Sequence, residues 1–204
     1  MPDLDVYYTI SDVKRSEIKI KGSRFIATVS NVNNKDEATE FRNAMRAEFY
    51  DATHNCYAYR IGNDENEFRA ADDGEPAGSA GKPILYMIDK YELSDVFVNV
   101  TRYFGGTKLG VGGLVRAYSD AAEEVLQTVE RKAIYLTHSV EITCGYEEIS
   151  LCKKLIDEYA IRFDEDYTDV VKFQIDIKRS QVEEFCSKIF SQSLGKINPK
   201  VAGG

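Results

Sequence analysis

One glycine-rich segment, residues 102–118, constrains the fold of this chain more than any other part of the sequence. Its seventeen residues contain five glycines, two arginines and one lysine but no acidic residue, in a chain whose formal net charge is −8. Glycine permits backbone conformations that gather several N–H groups into one concavity, and the first turn of a helix adds unpaired N–H donors. The segment therefore predicts a loop that opens a helix and binds an anion, with phosphate as the obvious ligand.

The candidate anion ligands are backbone N–H groups of the glycines and the side chains of three cations. They are Arg102, Gly105, Gly106, Lys108, Gly110, Gly112, Gly113 and Arg116. The segment matches neither common nucleotide-binding fingerprint, because it has no G-x-x-x-x-G-K-[ST] pattern and Val115 occupies the position that would complete G-x-G-x-x-G from Gly110. The alternative is that the glycines serve only a tight turn and close helix–strand packing, with the arginines in solvent.

Composition limits the class of protein. A chain of 204 residues that is 43% hydrophobic can bury one large core or two small ones, and we expect two modest domains. Because the chain is acidic overall, any affinity for phosphate must come from a local patch of positive charge. The four cysteines form no C-x-x-C pair, which argues against a zinc site. Because neither a signal peptide nor a bilayer-spanning apolar run is recognisable, we expect a cytoplasmic protein with reduced thiols and no membrane partner.

Hydrophobic spacing predicts the elements of a first domain over residues 1–137. In chain order we expect a strand at 21–29, a helix from Lys35, two strands at 55–61 and 67–71 joined by a turn at 62–66, a loop at 72–83, a helix from Pro83, a strand at 96–103 and a long helix after the glycine segment.

The pattern restarts in a second domain over residues 138–204. Strands are predicted at 140–144, 161–163, 171–177 and 196–201, with helices at 149–159 and 182–190. This order, β-α-β-β-α-β, is that of a ferredoxin-like split βαβ unit. The predicted fold class is therefore α+β with two domains.

Acidic residues follow the predicted hairpin. Asp72, Asp73 and Glu75 surround Gly74, and their carboxylates can converge on a divalent cation such as Mg²⁺, which would bridge to phosphate. The alternative is ordinary turn chemistry, in which the side-chain oxygens cap nearby N–H groups. Magnesium is the one cofactor that the sequence suggests.

Catalytic candidates are few. Besides the three acidic residues, His54 begins a predicted strand two residues before Cys56, so a Cys–His nucleophilic pair is conceivable. The ordinary alternative is a packed or hydrogen-bonded histidine. Neither a catalytic triad nor a phosphotransfer signature can be assembled from the chain.

Three segments together resemble the hallmark blocks of the Impact/YigZ family, namely residues 21–27, 72–84 and 102–118. Ser79 stands where many relatives are expected to have threonine, and the hydroxyl is retained. The resemblance implies that the first domain is of the Impact N-terminal type, an α+β sandwich akin to the fold shared by a ribosomal protein, elongation factor G domain IV and GHMP kinases. It also implies a ferredoxin-like second domain similar to the last domain of elongation factor G.

The resemblance further implies a link to translation, since eukaryotic Impact proteins are connected with its regulation through a stress-kinase pathway. The interaction domain that precedes their shared region is not recognisable here, so that particular role is not transferred. We expect a translation-associated protein that binds RNA or ribosome phosphates, or a nucleotide, through the glycine segment. The alternatives are a magnesium-assisted hydrolase or phosphotransferase acting on a small phosphorylated or anionic substrate, and a protein-interaction module that uses the ferredoxin-like sheet or the tyrosine-rich N-terminus.

Overall fold

The computed structural model describes residues 5–62 and 67–202, so residues 63–66 of the predicted turn lie outside the described part of the chain. By its contacts the chain divides into two units. The first is Tyr7–Ala133, and the second contains Asp5, Val6 and the chain from Ile134. The sequence placed the boundary near residue 137. Asp5 groups with the second unit because its carboxylate accepts hydrogen bonds from the backbone and hydroxyl of Ser180.

The first unit is built on a five-stranded antiparallel sheet. Its strands have the order β2-β3-β6-β4-β5, while β1 and β7 pair separately. The elements up to residue 135 are β1 (Val6–Ile10), β2 (Lys14–Ile20), β3 (Ser23–Asn31), α1 (Lys35–Glu48), β4 (His54–Ile61), β5 (Glu67–Ala71), α2 (Gly81–Lys90), β6 (Val96–Tyr103), α3 (Gly110–Leu126) and β7 (Arg131–Tyr135).

Helices cover both faces of this sheet, as the alternation along β6 shows. Val98 and Val100 belong to the core beneath α2 and α3, together with Phe25 and Tyr118. Phe97 lies on the opposite face, in the cluster where α1 packs. Because successive strand residues point to opposite faces, the even-numbered residues of β6 lie on the face that packs against α2 and α3. Arg102 therefore falls on the α2/α3 face, at the end of the strand.

Some elements differ from the prediction for local reasons. β2 (Lys14–Ile20) was not predicted, because an edge strand with alternating charged residues and few large apolar ones gives a weak signal. β1 and β7 were also missed, and both are short. The helix α2 begins at Gly81 rather than at Pro83, since the Asp72 carboxylate accepts the N–H groups of Ala80 and Gly81 and so fixes an earlier start.

The second unit confirms the predicted ferredoxin-like order. Its sheet is antiparallel with the strand order β11-β8-β10-β9, so β10 lies between the two strands of the β8-α4-β9 unit. Its elements are β8 (Thr137–Cys144), α4 (Ile149–Tyr159), β9 (Ala160–Tyr167), β10 (Val171–Lys178), α5 (Val182–Gln192) and β11 (Lys200–Val201). The closing strand is shorter than the predicted 196–201, because Pro199 has no N–H to donate to the ladder.

The helices are amphipathic. In α3 the buried residues Leu114, Ala117, Tyr118 and Ala121 recur every three or four positions, whereas Arg116 on the other side is exposed. Within residues 5–62 and 67–202, no helix is both long and apolar enough to cross a lipid bilayer.

Candidate functional site

Two of the three hallmark segments meet where β6 ends and α3 begins. Gly22, in the turn between β2 and β3, lies directly against Gly105: a Cβ atom on Gly105 would be 1.8 Å from the Gly22 carbonyl carbon. Gly22 also has a φ of +84°, a conformation that favours glycine. The glycines at these two positions are therefore required by a backbone-to-backbone contact.

Arg102 is an internal residue. It is 5% exposed, and its Nη1 donates to Glu75 Oε1 over 2.6 Å while its Nη2 donates to Ser23 Oγ over 3.3 Å. The guanidinium also lies 5.4 Å from the ring centre of Phe25 and 5.5 Å from that of Phe104. Because a buried carboxylate already balances its charge, Arg102 does not present a free cation to an anion. The ion pair instead ties the hallmark segment 72–84, which contains Glu75, to the end of β6.

Tyr118 and Cys56 complete this buried polar cluster. The Tyr118 hydroxyl donates to Glu75 Oε1 over 2.8 Å and lies 3.3 Å from the Cys56 sulfur. The Cys56 thiol donates to the carbonyl oxygen of Asp72 over 2.9 Å. Burial raises the pKa of both Tyr118 and Cys56, so both groups stay protonated. This role of Tyr118 could not be found from sequence spacing, because the hydroxyl bonds to a residue 43 positions away in the chain.

His54 lies at the rim of the same cluster. Its Nδ1 is 2.8 Å from the carbonyl oxygen of Asp73, and its Nε2 is 3.9 Å from Glu75 Oε1. His54 and Cys56 share one face of β4, but each bonds to the backbone of the acidic loop, and no hydrogen bond joins the two in the described residues. The geometry therefore fits the hydrogen-bonded histidine and provides no activated thiol.

Asp72 holds the acidic loop in shape. Its Oδ2 accepts the N–H of Gly78 over 2.8 Å, and its Oδ1 accepts those of Ala80 over 3.0 Å and Gly81 over 2.8 Å. Burial by itself would raise the pKa of Asp72, but the three N–H groups outweigh it, and the pKa is lowered overall. A side chain saturated in this way caps the loop and the start of α2.

The three acidic side chains serve different partners. Asp73 accepts the backbone N–H of Asn55 over 2.7 Å, while Glu75 pairs with Arg102 and Asp72 caps the loop. In the part of the chain that the structure describes, no group of three His, Cys, Asp or Glu side chains is arranged to hold a metal ion. The carboxylates thus act as turn-forming and ion-pairing groups, and the magnesium site predicted at Asp72, Asp73 and Glu75 stays a prediction without a converging ligand set.

The glycines nearest α3 leave open space. Apart from the adjoining residues and the nearby helix backbone, a Cβ atom at Gly106, Gly110 or Gly112 would have no atom within 4 Å, and the φ angles of Gly106 and Gly110 are +85° and +72°. Gly113 is closer to its surroundings, 3.1 Å from the Leu109 Cβ. Leu109 is the N-cap residue and supplies no side-chain hydrogen bond to the first turn. The N–H groups at this end of α3 are therefore without the side-chain cap that α1 receives from its N-cap asparagine.

Two free cations flank this uncapped turn. Lys108 and Arg116 are exposed, and neither makes an ion pair or hydrogen bond with another described residue. Arg116 follows Gly112 by one turn on the same helix face, and helical side chains tilt toward the N-terminus. An arginine at this position can therefore reach the turn that Gly112 leaves bare. The structure brings these two predicted ligands to the start of α3 and places Arg102 in the interior.

The comparisons with known proteins agree with this architecture. The family model for the Impact N-terminal domain matches residues 21–126, and the model for the domain of unknown function DUF1949 matches residues 142–196. The chain is 36% identical to the IMPACT family member YvyE of Bacillus subtilis over 97% of this chain and 91% of the relative. It is 32% identical to the IMPACT family member YigZ of Escherichia coli over 88% and 89%.

A solved structure has a similar fold. The crystal structure of a hypothetical protein matches with a TM-score of 0.67 and 28% sequence identity, covering 98% of both chains. This match covers both units, and so do the matches to the two bacterial relatives. The chain accordingly belongs to the IMPACT family, with an Impact N-terminal domain followed by a DUF1949 domain.

Proposed function

We propose that this protein acts in translation by binding the phosphates of single-stranded RNA at the start of α3. The observation that carries the proposal is the meeting of an uncapped helix turn with two exposed cations, Lys108 and Arg116, that have no counter-charge among the described residues. Many of the other cations of the chain are engaged in ion pairs, for example Arg15, Arg60 and Lys90. An anion is the missing partner of this surface.

The chemistry of the surface suits a phosphodiester. Phosphate oxygens accept hydrogen bonds from first-turn N–H groups, where the helix dipole adds partial positive charge. The bare glycines at 110 and 112 allow the backbone of a ligand to approach closely. In the same glycine segment, Phe104 is 47% exposed, and an exposed aromatic ring offers a stacking surface to a base of any identity. This combination favours sequence-tolerant binding of a single strand.

The buried ion pair between Arg102 and Glu75 helps to hold the site in place. Arg102 contacts the ring of Phe104 and holds Glu75, so it fixes the acidic loop against the end of β6. Arg102 therefore helps to position the glycine segment. The link to translation is supported by membership of the IMPACT family.

Two phosphate contacts make a modest electrostatic contribution. For a single strand, the slope of log K against log salt is roughly −0.7 per neutralised phosphate, so two contacts give about −1.4. Doubling the salt concentration should weaken binding about 2.6-fold. If Arg102 also neutralised a phosphate, the slope would be about −2 and the loss about fourfold.

The test is a salt titration by fluorescence anisotropy with a labelled single-stranded RNA. Lys108→Ala and Arg116→Ala should each bind more weakly and should each bring the slope closer to zero by roughly 0.7. Arg46→Ala is the matched control, since Arg46 is an exposed, unpaired arginine on α1, across the sheet from α3. Equal slopes in all four proteins would contradict the proposal.

Two further measurements separate the proposal from its alternatives. Co-sedimentation with ribosomal subunits that depends on Lys108 would support a role in translation. A thermal-shift screen with nucleotides, sugar phosphates and MgCl₂ addresses the enzyme hypothesis, because a ligand that binds only the folded state raises the unfolding temperature. Stabilisation by one such small molecule, with RNA inert, would favour an enzyme over an RNA-binding protein.

A further inference from the structure

The second unit exposes a long edge strand on its sheet. β9 (Ala160–Tyr167) pairs with β10 and with no other strand among the described residues, and seven of its eight residues are exposed. Alternate N–H and C=O groups along its outer side are therefore available to a further strand. An edge of this kind is the template used in β-strand addition, where an extended segment of a partner joins the sheet.

The other edge of the same sheet is partly covered, because β11 pairs with Val140 and Glu141 of β8. β11 (Lys200–Val201) is two residues long and directly follows Pro199. Short edge strands and proline are devices that prevent unwanted pairing. β9 is four times as long, contains no proline, and shows its register irregularity at the end near Ala160, opposite Asp176 and Ile177.

The two faces of β9 differ in chemistry. Phe163 and Tyr167 are 40% and 45% exposed and lie opposite Ile175 and Val171, on the face that packs toward the helices. Asp164 and Asp166 lie between them on the open face of the sheet. A segment added beside β9 would therefore meet apolar rings on one face and carboxylates on the other.

Negative charge is concentrated at this edge. Residues 157–169 contain six acidic residues and one arginine, in a chain of net charge −8. Arg162 is paired with Asp176 over 3.2 Å, and Glu165 with Lys153 over 3.3 Å. Asp164 and Asp166, by contrast, make no ion pair or hydrogen bond with any described residue.

A pocket on the open face adds a receptor for a side chain. It has a volume of about 240 Å³ and is lined by Glu141, Asp164, Glu165, Asp166, Lys172, Phe173 and Gln174. The carboxylates of Glu141, Asp164 and Asp166 belong to this face, with Lys172 as the one ammonium group in the lining. Such a lining suits the cationic end of a lysine or arginine with an aliphatic stem.

We infer that β9 is the docking edge for an extended segment of another protein in which apolar residues alternate with lysine or arginine. The segment pairs with β9 as a fifth strand, places its apolar residues beside Phe163 and Tyr167, and directs its cations toward Asp164 and Asp166. The inference does not rest on the RNA site, because it uses a different unit and the opposite charge.

The test uses a labelled ten-residue peptide of alternating lysine and valine and the full-length protein carrying ¹⁵N. Binding should perturb the amides of β9 and slow hydrogen exchange of its outward-facing N–H groups. The double variant Asp164→Lys/Asp166→Lys should weaken binding about tenfold at low salt, with a smaller difference at high salt. Glu124→Lys is the matched control, because Glu124 is an exposed, unpaired acid on α3, and it should leave binding unchanged.

A second peptide separates strand pairing from simple charge attraction. N-methylation of alternate residues keeps every charge but removes the backbone donors, and this peptide should bind much more weakly. A glutamate–valine peptide should not bind. Equal binding of the methylated peptide, perturbations outside β9, or concentration-dependent dimers that occupy β9 with a second copy of the chain would each overturn the inference. None of these results would bear on RNA binding at α3.

Discussion

Replacement of Arg102 by methionine should destabilise the first unit by about 3–5 kcal/mol, the usual cost of removing one partner of a buried ion pair. The partner that remains is Glu75, whose side chain is 4% exposed. In the variant its carboxylate keeps the hydrogen bond from Tyr118, but it has no positive charge beside it. We expect the cost to arise from this stranded charge and not from lost packing.

The contacts of Arg102 allow the loss to be divided. Methionine has a similar length and retains apolar contact with Phe25 and Phe104. The bond to Ser23 is long, at 3.3 Å, and contributes about 0.5–1 kcal/mol. Nε of Arg102 is buried without a hydrogen-bond partner in the described structure, so its removal costs nothing there. Most of the loss therefore belongs to the 2.6 Å contact with Glu75.

A double-mutant cycle tests this division. Glu75→Leu alone strands the guanidinium and should also be costly, whereas Arg102→Met/Glu75→Leu removes both charges. The double variant should recover roughly 1–3 kcal/mol of the loss in Arg102→Met, because no charge is left stranded although Ser23 and Tyr118 still lose hydrogen-bond partners. The two positions should thus show a strongly favourable coupling.

Hydrogen exchange of β6 amides is the suitable assay, because it reports the opening free energy of the first unit separately from the second. Protection should fall in both single variants and recover in the double variant. A loss below about 1 kcal/mol in Arg102→Met, or a double variant as unstable as the sum of the singles, would refute the buried-charge argument.

Three further predictions concern the loops and the thiol. Gly105→Ala should destabilise the protein severely, since its Cβ would lie 1.8 Å from backbone, while Gly112→Ala, with open space around it, should be neutral or up to about 1 kcal/mol stabilising; urea unfolding compares them. Asp72→Ala should cost roughly 2 kcal/mol at neutral pH, and because the native pKa of Asp72 is lowered, its difference from wild type should shrink as pH falls through that pKa, as pH-dependent unfolding will show. Cys56 should resist a thiol reagent until the protein unfolds, because burial raises its pKa; mass spectrometry of labelled peptides checks this.

The fold followed closely from local patterns. The stripe Leu114, Ala117, Tyr118 and Ala121 specified both the helix α3 and its buried face, because a helix must bury a stripe at a spacing of three to four residues. The elements of the second unit were predicted equally well, since its strands alternate clearly with helices. β2 was not predicted, because an edge strand buries little of its surface and carries charged residues in alternation.

Less of the candidate site than of the fold could be predicted from the sequence. The sequence was enough to predict which residue types gather around the glycine segment. It also predicted that Lys108, Arg116 and the start of α3 are neighbours, because they are close along the chain. Two other features could be seen only in the folded chain: Arg102 faces inward to Glu75, 27 residues away, and Gly105 meets the turn at Gly22. Charge pairing depends on distances between chain segments that strand pairing sets, and a sequence shows an arginine without showing which carboxylate has already neutralised it.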